Sequence, residues 1–229
     1  MQSSIELTSD CCVQYKYPDN DHGQFTIIIN EKYSINYGYH VWPSAPILAQ
    51  FISYYRSKFN GKRIIELGSG TGMVGIVAAK IGALVVLTDS HQYPQCLQLC
   101  QQNVDINGVN DNITAILPLT WGHFDEQVIQ MPSFDYIISS DCFYNEKDFE
   151  DILSSVSFLM DKHQTKGTVF YTTYQERDSE WSIECLLNQW HLKCHYISLS
   201  DFETDNECVA KDNLSSKSTI HLLEITKNI

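Results

Sequence analysis

From Arg63 to Tyr174 the chain alternates short runs of β-branched and apolar residues with longer runs whose apolar residues recur at helical spacing. RIIEL leads to a helical segment from Met73 to Ile81, then LVVLTD, a helix near Tyr93 to Asn107, ITAILPL, FDYIISS, a helix near Lys147 to Met160, and TVFYTTY. Strands this apolar cannot leave a face in water, and strand-helix alternation covers both faces by building a parallel sheet. The fold class is therefore α/β, with helices on both sides of the sheet.

The flanks are read the same way. FTIII (25 to 29) and YSINYG (33 to 38), separated by Asn30, Glu31 and Lys32, read as a β-hairpin. Ser44 to Phe59 carries Ile47, Leu48, Phe51, Ile52 and Tyr55 at helical intervals, with Ser44 as its cap. At the other end WSIECLLNQW reads as a helix, and CHYISL (194 to 199) and TIHLLEIT (219 to 226) as two closing strands around a polar loop. No repeat and no linker divides the chain. It is expected to hold an extension with a hairpin over residues 1–40 and one domain over 41–229.

With 229 residues and 43% apolar composition, a substantial core is within reach. No apolar run is long enough to cross a membrane, and MQSSIELTSD lacks the basic start and apolar stretch of a secretory signal, so a soluble intracellular protein is expected. Eight cysteines without a C-x-x-C motif argue for reduced thiols and no metal site. Net charge of −13 argues against a nucleic-acid surface, which needs clustered Lys and Arg, and is compatible with a cationic partner.

IIELGSGTGMVG (64 to 75) spans the first strand-to-helix junction, and GTGMVG within it fits the G-x-G-x-x-G pattern. In a dinucleotide site a pyrophosphate lies over such glycines and the following helix N-terminus. Glu66 stands two residues before Gly68, and no Lys or Arg occurs from Ile64 to Ala79, so a doubly negative group would meet an acid and no offsetting base. S-adenosylmethionine has no phosphate and carries a sulfonium and an ammonium, and it suits the loop better. Asp89 ends LVVLTD 19 residues after Gly70, where an acid accepts hydrogen bonds from ribose hydroxyls. Asp89 indicates a nucleoside; Glu66 favours S-adenosylmethionine over a nicotinamide dinucleotide.

VWPSAPILAQF, IIELGSGTGMVG, LTDS, LTWG, SSDCFY and TTYQERDSEWSIECLLNQWHLKC stand in an order that resembles the seven-strand S-adenosylmethionine-dependent methyltransferases, within the group that modifies protein lysine and arginine side chains. The resemblance implies a Rossmann-like seven-stranded sheet with an antiparallel last strand. It places Trp42 beside the cofactor's methionine end, Gly68, Ser69 and Gly70 under it, Asp89 on its ribose, Trp121 near the adenine, and Ser140 in the same site. Trp121 could equally be a core tryptophan, and Trp42 could anchor the hairpin. An acid followed three positions later by an aromatic marks the acceptor site in this group, and Asp141 and Tyr144 fit that pattern. The alternative for Asp141 is the cap of a helix starting near Glu146.

Methyl transfer from a sulfonium is an in-line displacement needing a nitrogen lone pair, so positioning supplies much of the rate. A lysine acceptor, with a reference pKa of about 10.4, must lose a proton, whereas a guanidinium must be oriented and polarised by carboxylates. Asp141 could serve either, with Glu146, Asp148 and Glu176 as candidate helpers. The paired-glutamate loop of the main arginine methyltransferases is absent from SSDCFYNEK. Histone arginine is the expected acceptor by resemblance, and protein lysine the alternative. The resemblance also implies nuclear and cytoplasmic residence and a histone partner; a transcription-factor or chaperone partner is a further expectation. A non-catalytic module that binds the cofactor is the alternative of another class.

Overall fold

The computed structural model describes residues 10–19, 23–32, 37–162, 167–177, 183–202 and 220–228. Seven strands form the main sheet: β3 (Arg63–Leu67), β4 (Leu84–Asp89), β5 (Ile113–Pro118), β6 (Tyr136–Ser140), β7 (Val169–Gln175), β8 (Leu192–Ile197) and β9 (Ile220–Lys227). Their order is β5-β4-β3-β6-β7-β9-β8, and only β9 runs antiparallel to its neighbours. The α/β sheet with an antiparallel last strand is as expected.

Period-two alternation sends successive side chains to two separate cores. Ile64, Val85, Leu87, Ile138 and Tyr171 join one face, and Ile65, Val86, Ile137 and Phe170 the other. On the first face lie α1 (Ser44–Tyr54), α2 (Arg56–Phe59), α3 (Met73–Lys80) and α4 (Pro94–Asn107); on the second lie α5 (Glu126–Gln130), α6 (Phe149–Asp161) and α7 (Glu184–Gln189). The short α5, capped by the Asp125 side chain on the Val128 N–H, has too few residues to give a readable periodicity and is absent from the sequence reading. No helix among the described residues is long and apolar enough to cross a membrane.

Two local expectations are corrected. The hairpin pairs β1 (Asp10–Asp19) with β2 (Gly23–Lys32), so FTIII belongs to its second strand and YSINYG is not its partner. Residues 37–39 instead form a single 3-10 turn, and residues 33–36 lie outside the described residues. Asn30, Glu31 and Lys32, read as a turn, remain in strand, paired with Cys12, Cys11 and Asp10 of β1, and the Asn103 side chain bonds both the N–H and the carbonyl of Asn30. Nor does Ser44 cap α1. Pro43 holds the N-cap position at φ −54°, while Ser44 is buried and its carbonyl accepts the Thr173 hydroxyl at 2.9 Å. The hairpin buries Tyr17, Ile27 and Ile29 in the same core as α1 and α3.

From β3 the chain builds outward to β4 and β5, then returns to place β6 on the other side of β3. Loops after β3 and β6 therefore leave in opposite directions, opening a crevice at the carboxyl ends of the strands, where ligands bind in open α/β sheets.

Candidate active site

The glycine loop is stitched to the end of β4. Ser69 donates its N–H to the Thr88 carbonyl at 2.8 Å, and Gly70 donates its N–H to Asp89 Oδ2 at 2.8 Å. Asp89 Oδ1 accepts the Ser90 N–H at 2.7 Å, so both carboxylate oxygens are fixed before any ligand is considered. Burial raises the Asp89 carboxyl above the usual range, and the two backbone donors oppose that rise. Gly68 sits at φ +67°, where L side chains are strained, and a Cβ there would come within 3.0 Å of the Trp121 ring. The close approach that requires glycine at 68 is thus made by the protein's own tryptophan.

Glu66 is 1% exposed, and its Oε2 accepts the N–H of Gly75 in α3 at 2.9 Å. A Cβ on Gly75 would lie 2.6 Å from that oxygen and 2.2 Å from Leu87 Cδ2, so the third glycine of the motif lets α3 sit against β3 and β4. Burial pushes the Glu66 carboxyl up to about 8. Glu66 is therefore not the standing negative charge that its place in the motif suggests: its charge is conditional, and a cation placed beside it would favour the ionised form.

Trp121 follows β5 and both alternatives hold for it, since it packs against the core under α6 and also lines the crevice. Its ring lies 6.4 Å from that of Tyr144. Tyr144 is 38% exposed, and burial of its phenol raises its pKa to about 12, which keeps it a proton-bearing hydroxyl at neutral pH.

At the end of β6, past Ser140, Asp141 takes a left-handed backbone with φ +57° and donates its N–H to the Thr173 carbonyl at 2.6 Å. It does not cap the next helix; Asn145 does, accepting the Lys147 N–H. Instead Asp141 is 6% exposed and paired end-on with Arg177, Nη1 to Oδ1 at 2.9 Å and Nη2 to Oδ2 at 2.5 Å. Oδ1 also accepts the Gln175 N–H at 3.2 Å. The Arg177 guanidinium lies over the half-exposed Trp42 ring, 6.0 Å from its centre.

These elements enclose one cavity of about 670 Å³, and all ten residues singled out in the sequence line it: Trp42, Glu66, Gly68, Ser69, Gly70, Asp89, Trp121, Ser140, Asp141 and Tyr144. That volume lies in the range of small-molecule and cofactor sites. Of the candidate helpers, Asp148 lines the cavity; Glu176 pairs with His221 at 3.3 Å, and neither it nor Glu146 reaches the wall. Arg177, Asp151, Tyr93 and His123 are wall residues that the sequence reading missed. Arg177 had one signal: like Asp141, it stands just past the carboxyl end of an apolar strand. Among the described residues, no group of three or more His, Cys, Asp or Glu is placed to hold a metal ion.

A model of the lysine methyltransferase family matches residues 21–184. The histone-arginine methyltransferase METTL23 of Xenopus laevis is 41% identical over 206 residues, covering 90% of this chain and 86% of that protein. METTL23 of Homo sapiens is 40% identical over 187 residues, covering 82% and 96%. Among solved structures, the magnesium protoporphyrin IX methyltransferase of Synechocystis PCC 6803 with bound SAM superposes with a TM-score of 0.54 at 14% identity, over 81% of this chain and 80% of that one, a likeness of fold.

Proposed function

The chain belongs to the lysine methyltransferase family, and from that premise we propose that it moves a methyl group from S-adenosylmethionine to a side-chain nitrogen of a protein, arginine of a histone first. One observation carries the reading: a single cavity joins the glycine loop and Asp89 at one end to Asp141 and Tyr144 at the other. The donor set fits the cofactor. Asp89 keeps a free lone pair on each oxygen for ribose hydroxyls, and the wall carries Glu66, Asp89, Asp141, Asp148 and Asp151 against one Lys or Arg among its described residues, an environment for cationic centres.

When bound, S-adenosylmethionine supplies a methyl group made electrophilic by its sulfonium. The chain's own residues orient the acceptor. Three of the roughly four lone-pair positions on the Asp141 carboxylate are filled, by Arg177 twice and by Gln175, and the open one is on Oδ2. That position accepts an N–H from the incoming side chain, with Asp148 and Asp151 completing an acidic wall. Tyr144 keeps its proton and serves as a hydrogen-bonding and packing surface, not as a base.

Arginine is supported by the activity named for the METTL23 proteins, and lysine by the description of the matching family. We infer nuclear and cytoplasmic residence and a transcription-factor or chaperone contact from the histone in those names; fractionation and co-purification test both. The acidic charge supports a protein partner over nucleic acid. Calorimetric titration tests the cofactor: heat and thermal stabilisation are expected with S-adenosylmethionine and not with NADH. Absence of S-adenosylmethionine binding would overturn the reading, and binding without methyl transfer would favour the non-catalytic module.

A further inference from the structure

We propose that Arg177 is a cofactor-binding residue whose guanidinium, held by Asp141 on one edge, takes the carboxylate of the cofactor's methionine end on its other edge. The inference rests on S-adenosylmethionine being the cofactor and names a contact which that reading does not require.

The methionine end carries an ammonium and a carboxylate, and the acidic wall suits only the ammonium. A carboxylate entering this cavity without a cation would face the wall's acids at low dielectric, an arrangement that is strongly unfavourable. Arg177 is the only Lys or Arg among the described lining residues.

A guanidinium has five N–H groups in a planar fork. Three are engaged, Nη1 with Asp141 Oδ1 and the Gln175 carbonyl, and Nη2 with Asp141 Oδ2. End-on pairing uses the inner hydrogens of Nη1 and Nη2, which leaves the outer Nη2–H and the Nε–H. These two point along one edge and have no hydrogen-bond partner among the described residues. Two parallel N–H donors on a rigid fork match a carboxylate bidentately.

Asp89 ends β4, and the sheet order places β5 on one side of it and β3, β6 and β7 on the other. A nucleoside with its ribose on Asp89 and its base toward Trp121, after β5, extends its opposite end toward β6 and β7. Arg177 stands two residues past β7. It is also pre-placed, gripped by Asp141 in its plane and faced by Trp42, so little side-chain freedom is lost on binding.

Cofactor and residue are tested together by titrating S-adenosylmethionine and decarboxylated S-adenosylmethionine, which keeps the sulfonium, into the wild-type chain, Arg177→Met and Arg177→Lys. The wild type is expected to prefer the intact cofactor, and Arg177→Met to lose roughly 10- to 100-fold in affinity for it while changing by less than about threefold for the decarboxylated form. Arg177→Lys restores part of the preference. Equal weakening of both ligands by Arg177→Met, or a wild type that does not distinguish them, overturns the assignment and leaves Arg177 as a support for Asp141. Should the wild type bind neither, the cofactor reading falls and this inference with it. Melting curves of each variant identify any loss that is merely unfolding.

Discussion

The two ends of the cavity hold their carboxylates by different means. At the β3–β4 end, Asp89 and Glu66 are fixed by backbone N–H groups of the loop and helix beside them: Gly70, Ser90 and Gly75. At the β6–β7 end, Asp141 is fixed chiefly by a side chain 36 residues away, the Arg177 guanidinium. Backbone donors are rigid and cannot be exchanged, which suits a ligand that is the same in every turnover. A paired guanidinium is held yet keeps donors of its own, which suits a place where two ligands meet.

The largest expected effect tests this division. Asp141→Asn should lower methyl transfer by about 100- to 1,000-fold while leaving S-adenosylmethionine affinity within about tenfold, measured by single turnover and calorimetry. Equal loss of both would erase the difference between the two ends.

Glu66 probes the other end through pH. Its pKa in the folded protein lies near 8 against an ordinary 4.5, so the native state holds the proton more tightly than the unfolded chain. The stability this confers is complete below 4.5 and is lost as pH rises through 8. Between these limits the wild type should lose several kcal/mol relative to Glu66→Gln, which keeps an oxygen for Gly75, in denaturant titrations. Parallel pH profiles would remove Glu66 as a buried acid. Saturating S-adenosylmethionine should flatten the wild-type profile, since a cation favours the ionised form.

Asp89→Ala should weaken S-adenosylmethionine by about 1–3 kcal/mol in calorimetry, with transfer from saturating cofactor less affected. The smallest effect is expected for Tyr144→Phe, below about 1 kcal/mol in acceptor KM, because a phenol that keeps its proton contributes one hydrogen bond and its ring survives the change. A collapse of turnover would give Tyr144 a chemical part that its raised pKa argues against.

The same contrast explains what could be read from the sequence. The parallel sheet is a run of successive strand-helix units, and the loop-to-Asp89 unit lies within one of them, where strand, glycine spacing and terminal acid are set by local geometry. Asp141 was visible because an apolar strand ends there, and Tyr144 only through the acid-to-aromatic pattern of the family the sequence resembles. Its partner was not visible, because nothing local to TTYQER reveals that Arg177 crosses to the neighbouring strand end. The hairpin was misregistered for a related reason: Asn30, Glu31 and Lys32 are polar, and what keeps them in strand is pairing with Cys12, Cys11 and Asp10, with the distant Asn103 side chain bonded to Asn30. Glu66 was identified as a site residue, but its protonation depends on burial that no spacing encodes.

We propose that this cavity brings a sulfonium methyl to a protein nitrogen held near Asp141. The decisive measurement is incubation of the chain with isotopically labelled S-adenosylmethionine and intact histones, followed by peptide mass spectrometry. Labelled methyl groups are expected on histone arginine and should disappear in Asp141→Asn. Label confined to lysine would overturn arginine as the acceptor, and no transferred label would overturn methyl transfer at this site.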